Sequence, residues 1–219
     1  MATIYVFNNA TNAVEKYIRA SNEPMPYNIG GTLTVREFLR GSGSDTAWTD
    51  LVTMNAFNQF RSFWGKPIVI NYAFNRIKGA GEPDYPQRFA GTFFSMGGNM
   101  RTTELEELHD AAVESGAFHV VYPLNPRIGE VYMDVRYLPA NLFVTSGFPY
   151  GNYGMKGNYV FLMQDCLIAL GYDTGGLDGI FGEKTRDAVK RYQNDRYLTD
   201  DGFVGRVEWD SLLFAAGYK

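Results

Sequence analysis

Apolar residues in the first 150 positions switch between a strand-like and a helix-like period. Ile4 to Phe7 reads as a short strand, Asn8 to Asn12 as a turn, and Ala13 to Arg19 as a second strand. Pro24, Pro26 and Gly30-Gly31 mark a loop. The Ser/Thr-x-x-Glu spacing of Thr34-Val35-Arg36-Glu37 is a capping box and predicts a short helix. From about Asp50 to Trp64, Met54, Phe57, Phe60 and Trp64 fall on one helical face, and Gly65-Lys66-Pro67 ends that helix. Ile68-Val69-Ile70-Asn71-Tyr72 predicts a buried strand. A loop over Gly79–Gln87 precedes a second strand, Phe89–Met96. Thr103-Glu104-Leu105-Glu106 opens a helix running to about Ser115, with Leu105, Leu108 and Ala112 facing inward. Val120–Tyr122 and Val131–Val135 complete a mixed sheet, so the expected class is α+β, helices layered on a sheet.

The pattern then breaks. Gly147–Gly157 is rich in Gly, Pro, Tyr and Asn, with almost no apolar periodicity, and reads as a linker. Beyond it, Tyr159–Leu170, Glu183–Tyr197 and Val207–Phe214 have helical spacing and are joined by Gly-Asp turns. The expected division is an α+β domain over 1–146, a linker over 147–157 and a small three-helix domain over 158–219.

Composition narrows the function. A chain of 219 residues has room for two modest cores. The net charge of -4 is spread evenly and no basic patch stands out, which argues against nucleic acid as a partner. Aromatic residues make up 16% of the chain, more than cores usually need, so some rings belong on the surface, where they suit flat contacts with sugars or proteins. A single cysteine, Cys166, excludes an internal disulfide and any multi-cysteine metal site; it falls in an apolar helical pattern and reads as a buried core thiol. The first residues carry no positive region followed by an apolar run, so no secretory signal is read there. No stretch approaches the ~18 apolar residues of a membrane helix, and membrane insertion is not expected.

Two copies of Asp-Gly-x-x-Gly stand near the C-terminus: Asp178-Gly179-Ile180-Phe181-Gly182 and Asp201-Gly202-Phe203-Val204-Gly205. In each, the Asp can accept from nearby backbone N–H groups and the glycines permit positive φ in a tight turn. Alone, such loops are structural. Together with Gln164, Leu167, Leu170-Gly171-Tyr172, Thr185, Ala188-Val189, Tyr192-Gln193, Leu198, Trp209 and Leu212, they follow the order and spacing of the peptidoglycan-binding domain family. The resemblance covers nearly all of 158–213. It implies a three-helix bundle with a shallow groove, of the kind that docks cell-wall hydrolases onto peptidoglycan. One departure is Glu208, where the family usually has Thr before the Trp, altering the cap of the last helix. The matching positions are mostly scaffold, so they speak to fold before ligand.

Upstream, Thr34-Val35-Arg36-Glu37-Phe38, Gly65-Lys66-Pro67-Ile68-Val69-Ile70-Asn71 and Val131-Tyr132-Met133-Asp134-Val135-Arg136 resemble the zinc D-alanyl-D-alanine carboxypeptidase family, over about 34–136. Active members take two zinc ligands from Ser-x-His-x-x-Gly-x-Ala-x-Asp and a third from the His of a Val-His-x-Asp-like strand. Aligned on Gly91, Arg88 stands in place of the first His, Ser95 in place of the Asp and Tyr132 in place of the last His, while Asp134 and Arg136 are retained. Guanidinium has no lone pair to offer, and zinc sites are built from Cys, His and carboxylates. The expectation is therefore a pseudo-enzyme with no metal and no cofactor. Arg88, Tyr132, Asp134 and Arg136 remain as cleft or recognition residues, with an Arg88–Asp134 salt bridge or an Arg88–Tyr132 hydrogen bond filling the vacated site.

The only two histidines do not rebuild a site. His109 reads as a solvated helix residue and His119 as a structural or surface one, ten positions away and without the i, i+4 spacing of zincin helices. Glu130 lies near the family's catalytic carboxylate and reads as a surface charge. No phosphate loop, nucleophile elbow or Cys/His pair appears. The function expected is non-catalytic binding to peptidoglycan or another protein, at a cell wall, spore or virion surface, with self-assembly permitted. An active wall hydrolase and a purely structural subunit are the alternatives.

Overall fold

The computed structural model describes residues 1–77, 86–125, 127–136 and 148–217. Strand β1 (Ala2–Asn8) buries Ala2, Ile4 and Val6 on one face. A turn with Asn12 at φ 52° returns the chain antiparallel as β2 (Ala13–Arg19). Helix α1 (Val35–Phe38) starts on the expected capping box: Glu37 N–H donates to Thr34 Oγ1 at 3.3 Å and Thr34 N–H to Glu37 Oε2 at 2.8 Å. Strand β3 (Thr46–Asp50) pairs parallel with β1 and was not foreseen, because three of its five residues are buried in succession and leave no alternation to read. Asp50 then caps α2 (Leu51–Trp64), accepting from Thr53 N–H at 2.7 Å, and Gly65 ends the helix in the left-handed region at φ 65°.

The single mixed sheet expected from the sequence is two sheets. The first has the order β2-β1-β3. The second is antiparallel throughout, with β4 (Ile70–Tyr72), β5 (Phe93–Met96), β6 (Val120–Val121) and β7 (Val131–Asp134) in the order β4-β5-β7-β6. One face of it, including Ile70, Phe94, Met96 and Met133, is buried in the main core with α2 and α4 (Thr102–Glu114); Phe57 and Phe94 have ring centroids 5.1 Å apart. Leu105, Leu108 and Ala112 are buried as expected. Arg101, not Thr103, precedes α4, with its N–H donating to Glu104 Oε2 at 2.8 Å.

The strand expected over Phe89–Met96 is divided. Pro86–Phe89 is a short helix, α3, and the strand begins only at Phe93. Gly91 lies between them at φ 70°, and a Cβ there would sit 2.1 Å from the Trp48 carbonyl oxygen. That backbone approach, with Thr49 Oγ1 donating to Gly91 O at 2.8 Å, ties α3 to β3 and interrupts any strand. Of the loop expected over 79–87, residues 79–85 lie outside the described residues.

Helices α5 (Asn158–Ala169), α6 (Glu183–Asp195) and α7 (Arg206–Ala215) surround a second core around Tyr192, Leu212 and Trp209. Of the segment read as a linker, residue 147 is not described; Phe148 and Met155 pack on this core while Asn152, Tyr153 and Gly154 are exposed. Phe148 is 1% exposed against Trp209, Trp209 Nε1 donates to Pro149 O at 2.8 Å, and Gly151 and Lys156 form bridges to Val204 and Ile180. Its lack of periodicity reflects backbone pairing and a single anchoring ring, with solvated residues between them.

Helix α5 is buried on every side from Asn158 to Leu167. One side faces α6 and α7. The other meets the first sheet, where Phe161 stacks on Trp48 (5.3 Å, 11°) and lies 5.1 Å from Tyr5. Asp165, 1% exposed, accepts from Arg76 Nε at 2.8 Å and from Ile77 N–H at 3.0 Å. Asn158 Nδ2 donates to Asp50 Oδ2 at 2.9 Å.

Candidate functional site

The sheet face opposite the main core collects the residues singled out upstream. Cross-strand partners project to the same side of a sheet. Ser95 on β5 is in register with Tyr132 on β7 and, past an irregularity in β4, with Tyr72. The Arg88 guanidinium lies over the Tyr72 ring, 5.1 Å from its centroid, and over Phe89 at 5.6 Å. Arg88, Ser95 and Tyr132 therefore share one region although they come from three elements. Phe93, in register with Asp134, stacks on Tyr132 at 5.8 Å.

Two expectations about this face need correction. Asp134 does not pair with Arg88: it is fully buried, takes Arg136 Nη2 at 2.8 Å and Arg136 Nε at 3.1 Å, and accepts from Tyr122 OH at 2.9 Å. Two residues apart at the end of β7, Asp134 and Arg136 form the nearer pair, and hydrogen bonding to Asp134 raises the Arg136 pKa further, against the opposing effect of burial. Glu130 is not a free surface charge either. Ser95, itself fully buried, donates its hydroxyl to Glu130 Oε2 at 2.7 Å. A cation over an aromatic ring, an alcohol and a phenol do not fit a zinc ion, whose ligands are thiolate, imidazole or carboxylate. Among the described residues, no three His, Cys, Asp or Glu side chains gather so as to hold a metal. His109 is paired with Asp110 at 3.3 Å, and His119 Nδ1 meets the Arg136 carbonyl at 2.7 Å.

The C-terminal loops are built by one device used twice. In the first, Gln164 on α5 donates through Nε2 to Asp178 Oδ1 at 2.8 Å and accepts at Oε1 from the N–H groups of Asp178 (3.1 Å) and Gly179 (2.9 Å). Asp178 Oδ1 also accepts from Ile180 N–H at 2.9 Å. In the second, Gln193 on α6 donates to Asp201 Oδ1 at 3.0 Å and to Phe203 O at 2.9 Å, and accepts from Gly202 N–H at 2.9 Å; Phe203 N–H donates to Asp201 Oδ1 at 2.9 Å. Both glutamines are fully buried, so each has every incentive to use both ends of its amide. Gly179 (φ 70°) and Gly202 (φ 76°) supply the left-handed backbone, and a Cβ on Gly179 would fall 2.2 Å from Phe161 Cε2. Gly182 and Gly205 precede α6 and α7, and Glu208 accepts from Gly205 N–H at 2.8 Å, replacing the hydroxyl cap expected there.

This doubled loop, each copy stapled by a buried glutamine, matches a known pattern. Residues 156–212 match the peptidoglycan binding domain family. An uncharacterized protein of Bacillus subtilis strain 168, YbfG, is 38% identical over 63 residues, which is 28% of this chain and 9% of that protein. A crystal structure of a peptidoglycan-binding protein from Clostridioides difficile, in complex with glutamine hydroxamate, is 38% identical over 29% of this chain and 39% of that one, with a TM-score of 0.28. The SleB N-terminal domain is 31% identical over 31% of this chain and 92% of its own, with a TM-score of 0.30. The chain thus spans about a tenth of the length of the curated relative and well under half of the first of these structures.

Sequence reasoning placed the peptidoglycan-binding domain and both loops correctly, yet treated Gln164 and Gln193 only as pattern positions. A polar residue inside an otherwise apolar helix face was the available signal. The helix-facing partners Trp48, Arg76 and Asp50 were missed altogether, because nothing in local periodicity announces a contact made across 89 residues, as Arg76 and Asp165 make.

Proposed function

We propose that this chain is a non-catalytic peptidoglycan-binding protein of the cell wall. The observation that carries the reading is the peptidoglycan-binding domain at 156–212 with both glutamine-stapled loops intact. The names of its relatives supply the ligand: one similar structure is a peptidoglycan-binding protein. Upstream, the α+β region is read as a descendant of the zinc D-alanyl-D-alanine carboxypeptidases, with Arg88, Ser95 and Tyr132 at the three metal positions. Support for this comes from their shared sheet face and from the chemistry of their side chains, none of which is a competent zinc ligand at neutral pH. Arg88, Tyr132, Asp134 and Arg136 then serve as a recognition or scaffolding surface.

Retention on insoluble, purified peptidoglycan tests the binding half of this reading. The full chain is expected in the pellet and to stay there at raised salt, since its charge of -4 offers no electrostatic attraction to an anionic wall. A chain that stays in the supernatant favours the purely structural reading, in which exposed rings such as Tyr197 and Phe214 serve assembly with other copies.

A further inference from the structure

Two tyrosines of the segment leading into α5 stay exposed although the backbone around them is held. Gly151 exchanges both backbone hydrogen bonds with Val204 of the second Asp-Gly loop, at 2.9 and 2.8 Å. Gly154 N–H and Gly157 N–H donate to Phe181 O and Gly179 O of the first loop, each at 2.9 Å. The segment therefore crosses both loops and is fastened to each. Tyr150 and Tyr153 project from it, 39% and 58% exposed. Both precede residues 156–212, so the family pattern does not account for these rings.

The rings meet the second loop and α6 along one chain of contacts. The Tyr150 ring lies 5.3 Å from that of Phe203, tilted by 32°. Phe203, itself partly exposed, stands where the first loop has aliphatic Ile180. The Arg186 guanidinium lies over the Tyr153 ring at 5.3 Å. The Arg186 stem also packs on the second loop: a Cβ on Gly202 would fall 2.9 Å from Arg186 Cγ and 3.1 Å from Lys190 Cε. Arg186 and Lys190, four positions apart, thus share the face of α6 beside the residue that precedes Phe203. Among the described residues neither cation is paired with a carboxylate. The acid of that loop, Asp201, accepts instead from Gln193 Nε2 and Phe203 N–H.

We propose that this surface, Tyr150, Tyr153 and Phe203 with Arg186 and Lys190, is where the chain meets the wall, and that it takes a sugar ring bearing an acidic peptide. Exposed rings on fastened backbone offer flat, preorganised surface to the C–H face of a sugar. Stacking on Tyr153 uses the face of the guanidinium and its Nε is covered, which leaves the terminal N–H groups for a peptide carboxylate. Lys190 adds charge on the same side. The proposal rests on the wall reading above, which supplies the polymer; these side chains supply the place and divide the ligand between them. An uncharged glycan engages the rings alone and a free peptide the cations alone, so each half binds more weakly than the joined ligand.

Pelleting of the full chain with purified walls tests it, together with calorimetry using a soluble sugar–peptide fragment of those walls, a chitin oligosaccharide and a synthetic stem peptide. The fragment is expected to bind saturably, and the oligosaccharide and the peptide each at least about tenfold more weakly. Tyr150→Ser is expected to weaken the fragment about tenfold. Arg186→Gln keeps the stem that packs on Gly202 and is expected to remove the fragment's advantage over the uncharged oligosaccharide. Tyr153→Ser, at the most exposed of the three rings, is expected to reduce that advantage with an unchanged melting temperature, which keeps the test independent of folding. Tyr197→Ser, whose ring is 98% exposed at the opposite end of α6 from Arg186, is expected to change nothing. Full fragment affinity in the three site variants, loss of binding in Tyr197→Ser instead, or a stem peptide bound as tightly as the fragment overturns the proposal. Walls pelleted equally by the wild type and the site variants overturn this site and leave the wall reading standing; a wild-type chain that neither pellets nor binds the fragment overturns both.

Discussion

The sheet face around Ser95 and the two loops at Asp178 and Asp201 both sit at positions where a family pattern is visible in the sequence, yet they differ in what that pattern retains. In the loops the residues that close the turn are all present and all used: buried glutamine, aspartate and left-handed glycine each make their bonds. On the sheet face Ser95 and Tyr132 are in register and Gly91 is wedged against Trp48, while a guanidinium, an alcohol and a phenol share the region. The difference separates two sorts of constraint. A loop that loses its glutamine leaves buried N–H groups unpaired, so its polar residues are held by folding itself. The sheet face carries no such penalty: Ser95 satisfies its hydroxyl with Glu130, and Arg88 lies on aromatic rings.

The two regions are also physically joined, and the largest expected effect concerns that joint. Asp165→Ala leaves the Arg76 guanidinium and the Ile77 N–H without their acceptor at a buried seam, which is expected to cost about 3–5 kcal/mol. Urea unfolding monitored by tryptophan fluorescence reads it. Trp48 lies on one side of the seam and Trp209 on the other, so a single transition for both is expected and two separated transitions break the picture of two cores coupled through α5. Cys166 sharpens the same measurement. It is fully buried and its pKa is raised well above the usual thiol value by desolvation, then by neighbouring Asp165, so a thiol reagent should modify it only at the rate of unfolding.

Next in size is Gly179→Ala. The left-handed backbone and the collision with Phe161 together predict a loss of about 2–4 kcal/mol, whereas Gly171→Ala, at φ 91° with open space around it, should lose only about 1–2 kcal/mol. Thermal melts of the two variants compare them directly; equal losses would mean that the Phe161 contact carries no weight. Gln193→Leu follows, at about 1–3 kcal/mol, for the buried Gly202 N–H it leaves unsatisfied. Hydrogen exchange should speed up at Gly202 and Phe203 and stay unchanged at Gly179, which has its own glutamine. Smallest is Ser95→Ala. It removes one hydrogen bond to half-buried Glu130, and about 1 kcal/mol or less is expected by denaturant melt. A loss as large as that of Gln193→Leu would show that the sheet face is as tightly constrained as the loops.

How much of this was legible in the sequence follows from the range of each interaction. Helices α2, α4 and α6 announced themselves through apolar spacing, and the Thr34–Glu37 box through four adjacent letters. Strand β3 did not, since burial on both faces removes the alternation that marks a strand. The division into two sheets was hidden because pairing partners are chosen by the whole fold; β1 reaches across more than thirty residues to pair with β3. At the candidate site, the partners that Asp134 and Ser95 actually take were not legible. Arg136 and Tyr122 win Asp134 by being nearer, and only coordinates decide proximity.

The proposed binding to the wall without cleavage is tested on the wall itself. Full-length protein, equilibrated with Zn²⁺ and freed of excess metal, is added to a suspension of purified walls, and the turbidity of that suspension is followed over time. Constant turbidity is expected, with the protein recovered in the wall pellet and well under one zinc per chain. A falling turbidity, with zinc bound in proportion to the chain, would contradict it.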